Sequence, residues 1–434
     1  MDKNLMAKRM ARLGTENAFK IGVDIQRCLQ MGKDVIKLNL GEPDFNSADL
    51  INRKACEEIN KGNSHYCDPQ GLISLRQAIA KQVSETRGVK VTPDRVVVTT
   101  GAKPPIFFTL MTYVDEGDEV IYPSPGFPIY ESVINFIGAA AVPLHLQEQK
   151  GFRFTSDELE KLITPKTKVI IINSPSNPTG GVLSREELAQ IAETIKAKCS
   201  DKVRIYSDEV YEYIIFDGKK HYSIMSFNGM EERTVMVSGH SKTYAMTGWR
   251  LGYAVLPTPQ EAEFFKHLNI NIVSCVPPFI QEAGREAIEN PEIIPVVERM
   301  TAEFQKRRDW VVDALNRIEG VTCAKPEGAF YVFPNIGGAC EKNGLLKLYE
   351  ELPPSIKHRT SPSTIMQMFA LYEHGVATMD RNSFGKIGTE GKHFLRISTA
   401  ASLEALKEGV RRLENALKDK EGIKKFVSAG EHLF

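Results

Sequence analysis

The chain has 434 residues, 42% hydrophobic and 25% charged, a globular balance with enough length to bury one large core and a smaller one. Lysine plus arginine equals aspartate plus glutamate, 55 of each, which excludes a bulk pull toward nucleic acid, anionic membranes or other polyanions and leaves small molecules as the expected partners. The seven cysteines, Cys28, Cys56, Cys67, Cys199, Cys275, Cys323 and Cys340, include no C-x-x-C pair, so neither a disulfide framework nor a metal site is indicated and a reducing, cytoplasmic setting is expected.

The N-terminus lacks the apolar core of a secretory signal, and no run approaches the ~18 apolar residues of a membrane helix. Residues 1–13 have the basic character of an organellar transit peptide but are short for one. There is no internal repeat and no Gly/Ser linker. Between about residues 95 and 257, short apolar runs at 95–99, 119–122, 168–172, 203–206, 234–237 and 252–256 alternate with helix-like stretches. That alternation predicts an α/β fold, a mostly parallel sheet covered by helices on both faces. In such sheets ligands bind outside the carboxyl ends of the strands, so the loops after these runs share one rim.

The first such loop, Thr100-Gly101-Ala102-Lys103, precedes an apolar helical run; its backbone N–H groups suit a phosphate at a helix N-terminus, or it is a plain turn. Phe127, in Pro123-Ser124-Pro125-Gly126-Phe127-Pro128, is placed either to stack on a flat ring or to pack. Asn173-Ser174-Pro175-Ser176-Asn177-Pro178-Thr179-Gly180 is a rigid turn whose Asn177 is a candidate donor to a phenolic oxygen. In Ser207-Asp208-Glu209-Val210-Tyr211, Asp208 follows an apolar run. It is a candidate carboxylate for a pyridine-ring nitrogen, with a helix N-cap as the alternative.

The run Ser238-Gly239-His240-Ser241-Lys242-Thr243-Tyr244-Ala245-Met246-Thr247-Gly248-Trp249-Arg250-Leu251-Gly252 places Lys242 at a strand end. A lysine amine condenses with an aldehyde, and an arginine beside small hydroxyl residues holds a phosphate ester; the run reads as a pyridoxal-phosphate anchor. Beyond residue 290 an amphipathic helix is expected over 295–318, short strands near 328–333 and 394–398, and a last helix over 403–417, an α+β arrangement. Arg396 sits among apolar residues and needs a partner, either a substrate carboxylate or an internal ion pair. These elements divide into an N-terminal segment, 1–50, that joins the small domain, a large domain over 51–290, and a small domain over 291–434.

Taken in order, these segments resemble the class I and II aminotransferases of the fold-type I pyridoxal-phosphate enzymes, in particular the bacterial aspartate and aromatic branch. The likeness runs from Leu40-Gly41-Glu42-Pro43-Asp44-Phe45, through Tyr66, Gly71 and Leu75-Arg76, to Pro326-Glu327-Gly328-Ala329-Phe330-Tyr331 and Leu395-Arg396-Ile397-Ser398. It implies a seven-stranded large domain. It also implies amino-group exchange between an L-amino acid (aspartate, glutamate or aromatic) and a 2-oxo acid, through an aldimine of Lys242 with pyridoxal 5'-phosphate.

By the same resemblance Lys242 is the proton-moving base and Asp208 holds the ring nitrogen. Asn177 and Tyr211 meet the ring oxygen, Phe127 stacks on the ring, and Ser241, Arg250 and the turn Gly101, Ala102, Lys103 hold the phosphate. Arg396, with Asn177 and the Gly41 backbone, binds the substrate carboxylate, and Tyr66 reaches the neighbouring site of a homodimer. The alternatives are another fold-type I chemistry, such as a carbon–sulfur β-lyase, or a non-catalytic ligand sensor.

Three departures stand out. His240 lies two residues before Lys242, where a small or apolar residue is usual. Asp380-Arg381 replaces a common Pro-Gly, which makes Arg381, with Lys20, a candidate reader of an acidic side chain, an exposed loop arginine being the alternative. Residues 336–372 look like an inserted loop.

Overall fold

A computed structural model describes residues 5–388, 391 and 393–434. It contains twelve strands: β1 (Ile36–Lys37), β2 (Val96–Thr99), β3 (Glu119–Ser124), β4 (Ala140–His145), β5 (Thr167–Asn173), β6 (Arg204–Asp208), β7 (Thr234–Gly239), β8 (Gly252–Val255), β9 (Tyr331–Val332), β10 (Val376–Ala377), β11 (Met379–Asp380) and β12 (Leu395–Ser398). Seven of them form one sheet in the order β2-β8-β7-β6-β5-β3-β4. Only β8 runs against its neighbours, antiparallel to both β2 and β7. The mostly parallel, seven-stranded α/β architecture is thus observed.

The sheet is parallel because both faces are buried. Along the strands, side chains alternate between two cores. Val97, Val120, Tyr122, Val169, Ile171 and Tyr206 enter one, while Val96, Val98, Met236 and Val255 face the other way. All six apolar runs became strands; the seventh, β4, was not among them. Its sequence carries Pro143, which argues against a central strand, but β4 lies at the sheet edge where a missing N–H is tolerated.

The chain ends clasp each other. β1 pairs in parallel with β10, and β11, β12 and β9 form a small antiparallel sheet. The expected helices appear as Ile294–Asn316 and Leu403–Lys418. Two expectations are corrected. Residues 336–372 do not form a loop but four helices, Gly337–Lys342, Leu345–Glu350, Pro354–Lys357 and Pro362–Tyr372, the last capped by Ser361 and buried along nearly its whole length. Leu403–Lys418 is not the last helix, since Asp419 caps another, Lys420–Ala429. The tail after it is latched to that helical segment by the His432 ring, stacked 3.9 Å from Tyr372.

The parallel strands deliver their carboxyl ends to one rim, as expected. Asn173 at the end of β5 is the register partner of Asp208 at the end of β6, which in turn lies opposite Val237 of β7.

Candidate active site

A cavity of about 540 Å³ opens at this rim, lined among others by Gly41, Ala102, Lys103, Phe127, Asn177, Asp208, Tyr211, Ser241, Lys242, Arg250 and Arg396. Lys242 reaches it because β7 ends at Gly239 and passes into a single helical turn, His240–Thr243. Its Nζ donates to the Gly41 carbonyl at 2.7 Å. Burial pushes the amine down to about 8, aided by Arg396 and Arg250 and opposed by Glu16 and Glu42. Gly41 must be glycine, because a Cβ there would lie 1.8 Å from the Tyr331 hydroxyl.

Asp208 lies across the cavity, 6% exposed. Burial raises its carboxyl to about 6, against the hydrogen bond that the Tyr130 hydroxyl donates to Oδ2 at 2.5 Å and a weaker one from the Val210 N–H. Behind it Glu209 sits in a saturated network with Arg87, His221, Ser207 and Ser223. Burial would raise Glu209 too, but Arg87 and His221 override it and hold the carboxyl at about 2. Two adjacent carboxylates at one strand end are therefore set apart by their surroundings, the structural one fully compensated and the cavity one not.

Arg396 donates through one terminal nitrogen to Asn177 Oδ1 at 3.1 Å and through the other to the Asn39 carbonyl. Its guanidinium carbon stands 4.6 Å from the Tyr331 ring centre and 5.0 Å from that of Phe384, and its buried Nε has no partner. Among the described residues no carboxylate pairs with it, so the internal ion-pair alternative does not hold. Tyr331 in turn shares a 2.8 Å hydrogen bond with Tyr211. Asn177 is fixed from below by its own N–H, which donates to Asn173 Oδ1 at 2.9 Å.

The opposite end is built for an anion. Gly101, at φ +87°, leaves room for Arg250, whose terminal nitrogen a Cβ would approach to 2.3 Å. Arg250 itself has φ +57°, a conformation costly for a side-chain-bearing residue and concentrated at functional sites. Its exposed guanidinium is braced by the Thr247 and Thr100 carbonyls, leaving it positive. The turn at Gly101–Lys103 leads into the helix Pro104–Tyr113, which opens on two prolines and so offers no N–H from its first two residues.

Of the site residues expected from sequence, Gly101 and Tyr66 do not line this cavity, and Tyr66 is 89% exposed. Lys20 is exposed and does not line it. Arg381 is neither an exposed loop arginine nor a substrate contact. It is fully buried and donates to the Gly385 and Lys386 carbonyls and to Ser124 Oγ. His240 is likewise buried, with Nε2 3.1 Å from the Gly284 carbonyl, and burial pushes its ring down to about 4, which keeps it neutral.

Sequence reading missed Tyr130 and Glu16. Tyr130 lies three residues beyond Phe127 on the helix Ile129–Ile137, where it reads as core. Glu16 reads as a solvated acid before a helix.

The cavity fits a flat, anionic, aldehyde-bearing ring. It presents an uncompensated buried carboxylate for a ring cation, an amine driven toward its neutral form, an aromatic face at Phe127, and a cationic cradle at Arg250.

Comparison with known proteins agrees with this chemistry. The family model described as aminotransferase class I and II matches residues 33–413. A probable aspartate/prephenate aminotransferase of Aquifex aeolicus is 36% identical over 95% of this chain and 99% of its own length. Aromatic-amino-acid aminotransferase 2 of Thermococcus litoralis is 37% identical over 89% of this chain and 92% of its own. Among solved structures, the aspartate aminotransferase of Rhizobium meliloti superposes with a TM-score of 0.84 at 33% identity, covering 95% of this chain and 98% of that one.

Proposed function

The chain belongs to the class I and II aminotransferases, a pyridoxal-phosphate-dependent family, and from that premise we propose a role for each residue of the cavity. The protein is an aminotransferase that moves an amino group between an amino acid and a 2-oxo acid; the lyase alternative is set aside. Bound pyridoxal phosphate supplies an aldehyde that condenses with amines and a protonated ring that accepts an electron pair.

Lys242 Nζ would anchor the cofactor and, as a free amine, would take the proton from the substrate α-carbon. Its lowered pKa leaves a useful fraction as free base near neutrality. Asp208, kept ionised by a ring cation and by Tyr130, holds the ring nitrogen protonated. Asn177 and Tyr211 donate to the ring oxygen, and Phe127 covers the ring face. Arg250, Ser241 and the turn at Gly101, Ala102 and Lys103 take the phosphate.

Arg396 receives the substrate carboxylate. Its guanidinium lines the cavity beside Asn177, and such a group offers paired N–H donors that a carboxylate matches. Gly41, whose carbonyl faces Lys242, lines the same end. The observation that carries this reading is the convergence of Lys242, Asp208 and Arg396, from three distant chain segments, on one cavity.

The test is the visible spectrum of the purified holoenzyme with single L-amino acids and no oxo acid. The cofactor band bleaches with true substrates and returns on adding a 2-oxo acid; release of pyruvate without bleaching overturns the assignment.

We further propose aspartate, glutamate and aromatic amino acids as the substrate classes, supported by the names of the relatives. A homodimer is supported by exposed Tyr66 and by the exposed apolar residues Met111, Phe264, Ile270 and Ile272 on neighbouring helices, with Tyr66 reaching into the neighbouring subunit's site. The division at about residues 50 and 290 is supported by the pairing of β1 with β10. A cytoplasmic setting is supported by seven free cysteines. Among the described residues, no helix is long and apolar enough to cross a membrane.

A further inference from the structure

The cavity is lined by the cations Lys103, Lys242, Arg250 and Arg396 and by the carboxylates Glu16, Glu42 and Asp208. On the reading above, Lys242, Arg250 and Asp208 face the cofactor and Arg396 faces the substrate carboxylate. Glu42 accepts from the Thr247 hydroxyl. The Lys103 side chain and Glu16 are left over, and they face each other, with Nζ 2.5 Å from Oε2. The Lys103 Nζ also stands 5.6 Å from the centre of the Phe127 ring, which places the pair beside the aromatic face of the cavity.

Glu16 is not a stray surface acid. Its side chain is 17% exposed, and its charge reaches both Lys242 and Tyr331. The segment that carries it is fastened on both sides of the site. Asn17 Nδ2 donates to Ser383 Oγ at 3.1 Å, and Asn39 Nδ2 donates to the Ala18 carbonyl at 3.2 Å. Leu40 and Ile106 supply apolar lining to the same cavity.

We propose that Glu16 is a specificity-determining residue: its carboxylate occupies the side-chain end of the substrate pocket and neutralises Lys103, so the pocket selects neutral, chiefly aromatic, amino acids over dicarboxylic ones. This rests on the aminotransferase assignment of the cavity. A second substrate carboxylate entering here meets a like charge and must compete with Glu16 for Lys103. A neutral ring meets Leu40 and Ile106 and leaves the ion pair intact.

The test uses holoenzyme of the wild type, E16Q and E16Q/K103M. Single-turnover kcat/KM is measured for L-phenylalanine, L-tyrosine, L-aspartate and L-glutamate. Alongside, the dissociation constants of succinate and 3-phenylpropionate, which cannot react, are measured by calorimetry. The expected result is a wild type that favours phenylalanine, and a dicarboxylic-to-aromatic ratio that rises about tenfold or more in E16Q in both measurements and falls back in E16Q/K103M. An unchanged ratio in E16Q, an equal loss with both classes, or a wild type that favours aspartate overturns the proposal. A wild type that transfers from none of the four, while retaining its cofactor band, overturns the underlying site assignment instead, and this proposal with it.

Discussion

Replacing Tyr130 with Phe removes the hydroxyl that donates to Asp208 at 2.5 Å and keeps the ring that packs edge-on against Phe127 and Tyr206. A hydrogen bond to a charged group contributes about 1.5–3 kcal/mol, and one pKa unit corresponds to about 1.4 kcal/mol. The Asp208 carboxyl, at about 6 in the free protein, therefore rises to roughly 7–8 in the variant. The cofactor ring needs the carboxylate, so protein with Asp208 protonated must give up that proton to bind.

The lost hydrogen bond weakens the ionised carboxylate equally with and without cofactor. The variant thus differs only in how much of its free form is protonated. The ratio of cofactor dissociation constants, variant over wild type, is then about 1 at pH 9, about 2–10 at pH 7 and about 10–90 at pH 5. Taking the ratio cancels the cofactor's own titration. The assay is a titration of apo-protein with pyridoxal phosphate at the three pH values, followed by absorbance. A ratio that stays flat with pH, even one above 1, refutes the role of Tyr130 as the group that keeps Asp208 ionised.

Arg381→Ala is expected to cost about 3–5 kcal/mol in a urea unfolding curve while leaving substrate preference as in the wild type, since Arg381 is a buried clamp on carbonyls; a changed preference at wild-type stability would return it to the pocket. In apo-protein, labelling of Lys242 by an amine-reactive reagent should rise through about pH 8, as peptide mass spectrometry can follow, and a midpoint near the 10.5 of an ordinary lysine contradicts the burial argument. Glu209→Gln leaves Arg87 and His221 without their shared carboxylate, a loss of about 3 kcal/mol near neutrality. Because Glu209 is held at about 2, below its ordinary 4.5, its contribution is complete above pH 4.5 and is lost as pH falls toward 2. The gap between wild type and variant in unfolding midpoint should therefore shrink on acidification, and a gap that widens reverses the assignment.

Lys242 and Asp208 were readable because each is a polar residue just past an apolar run, Arg396 because it sits among apolar residues, and Arg250 because it lies close to Lys242 in a run rich in small hydroxyl residues. Tyr130 was not, since its only distinguishing feature is a hydrogen bond to a residue 78 positions away, and a tyrosine within an apolar helix otherwise reads as core. Glu16 was missed for another reason: the resemblance implied that residues 15–20 cover the site but pointed to Lys20 within them, and nothing local marks Glu16 as the residue that faces the cavity. Arg381 was misjudged because its burial is produced by the carbonyls of residues 385 and 386 closing around it, a loop geometry that composition does not encode. The strand β4 carries Pro143, which argues against a central strand but is tolerated at an edge, and edge position is a property of topology.

The pairing of β1 with β10 also orders the protein's birth. Ile36 finds its partner in Val376, 340 residues later, Asn39 meets Arg396 across 357 residues, and Gly41 meets Lys242 across 201. While the ribosome is still extending the chain, the seven-stranded sheet can form from residues 96–255, with its cofactor cradle at Arg250 in place. The amino-terminal segment meanwhile trails without its strand partner. Growing chains therefore hold Lys242, the proposed anchor, before they hold Arg396, the proposed substrate-carboxylate site. A chain stalled between those points would meet the cofactor with its lysine uncovered, lacking the carbonyl of Gly41 in place and the half of the pocket that chooses what reacts.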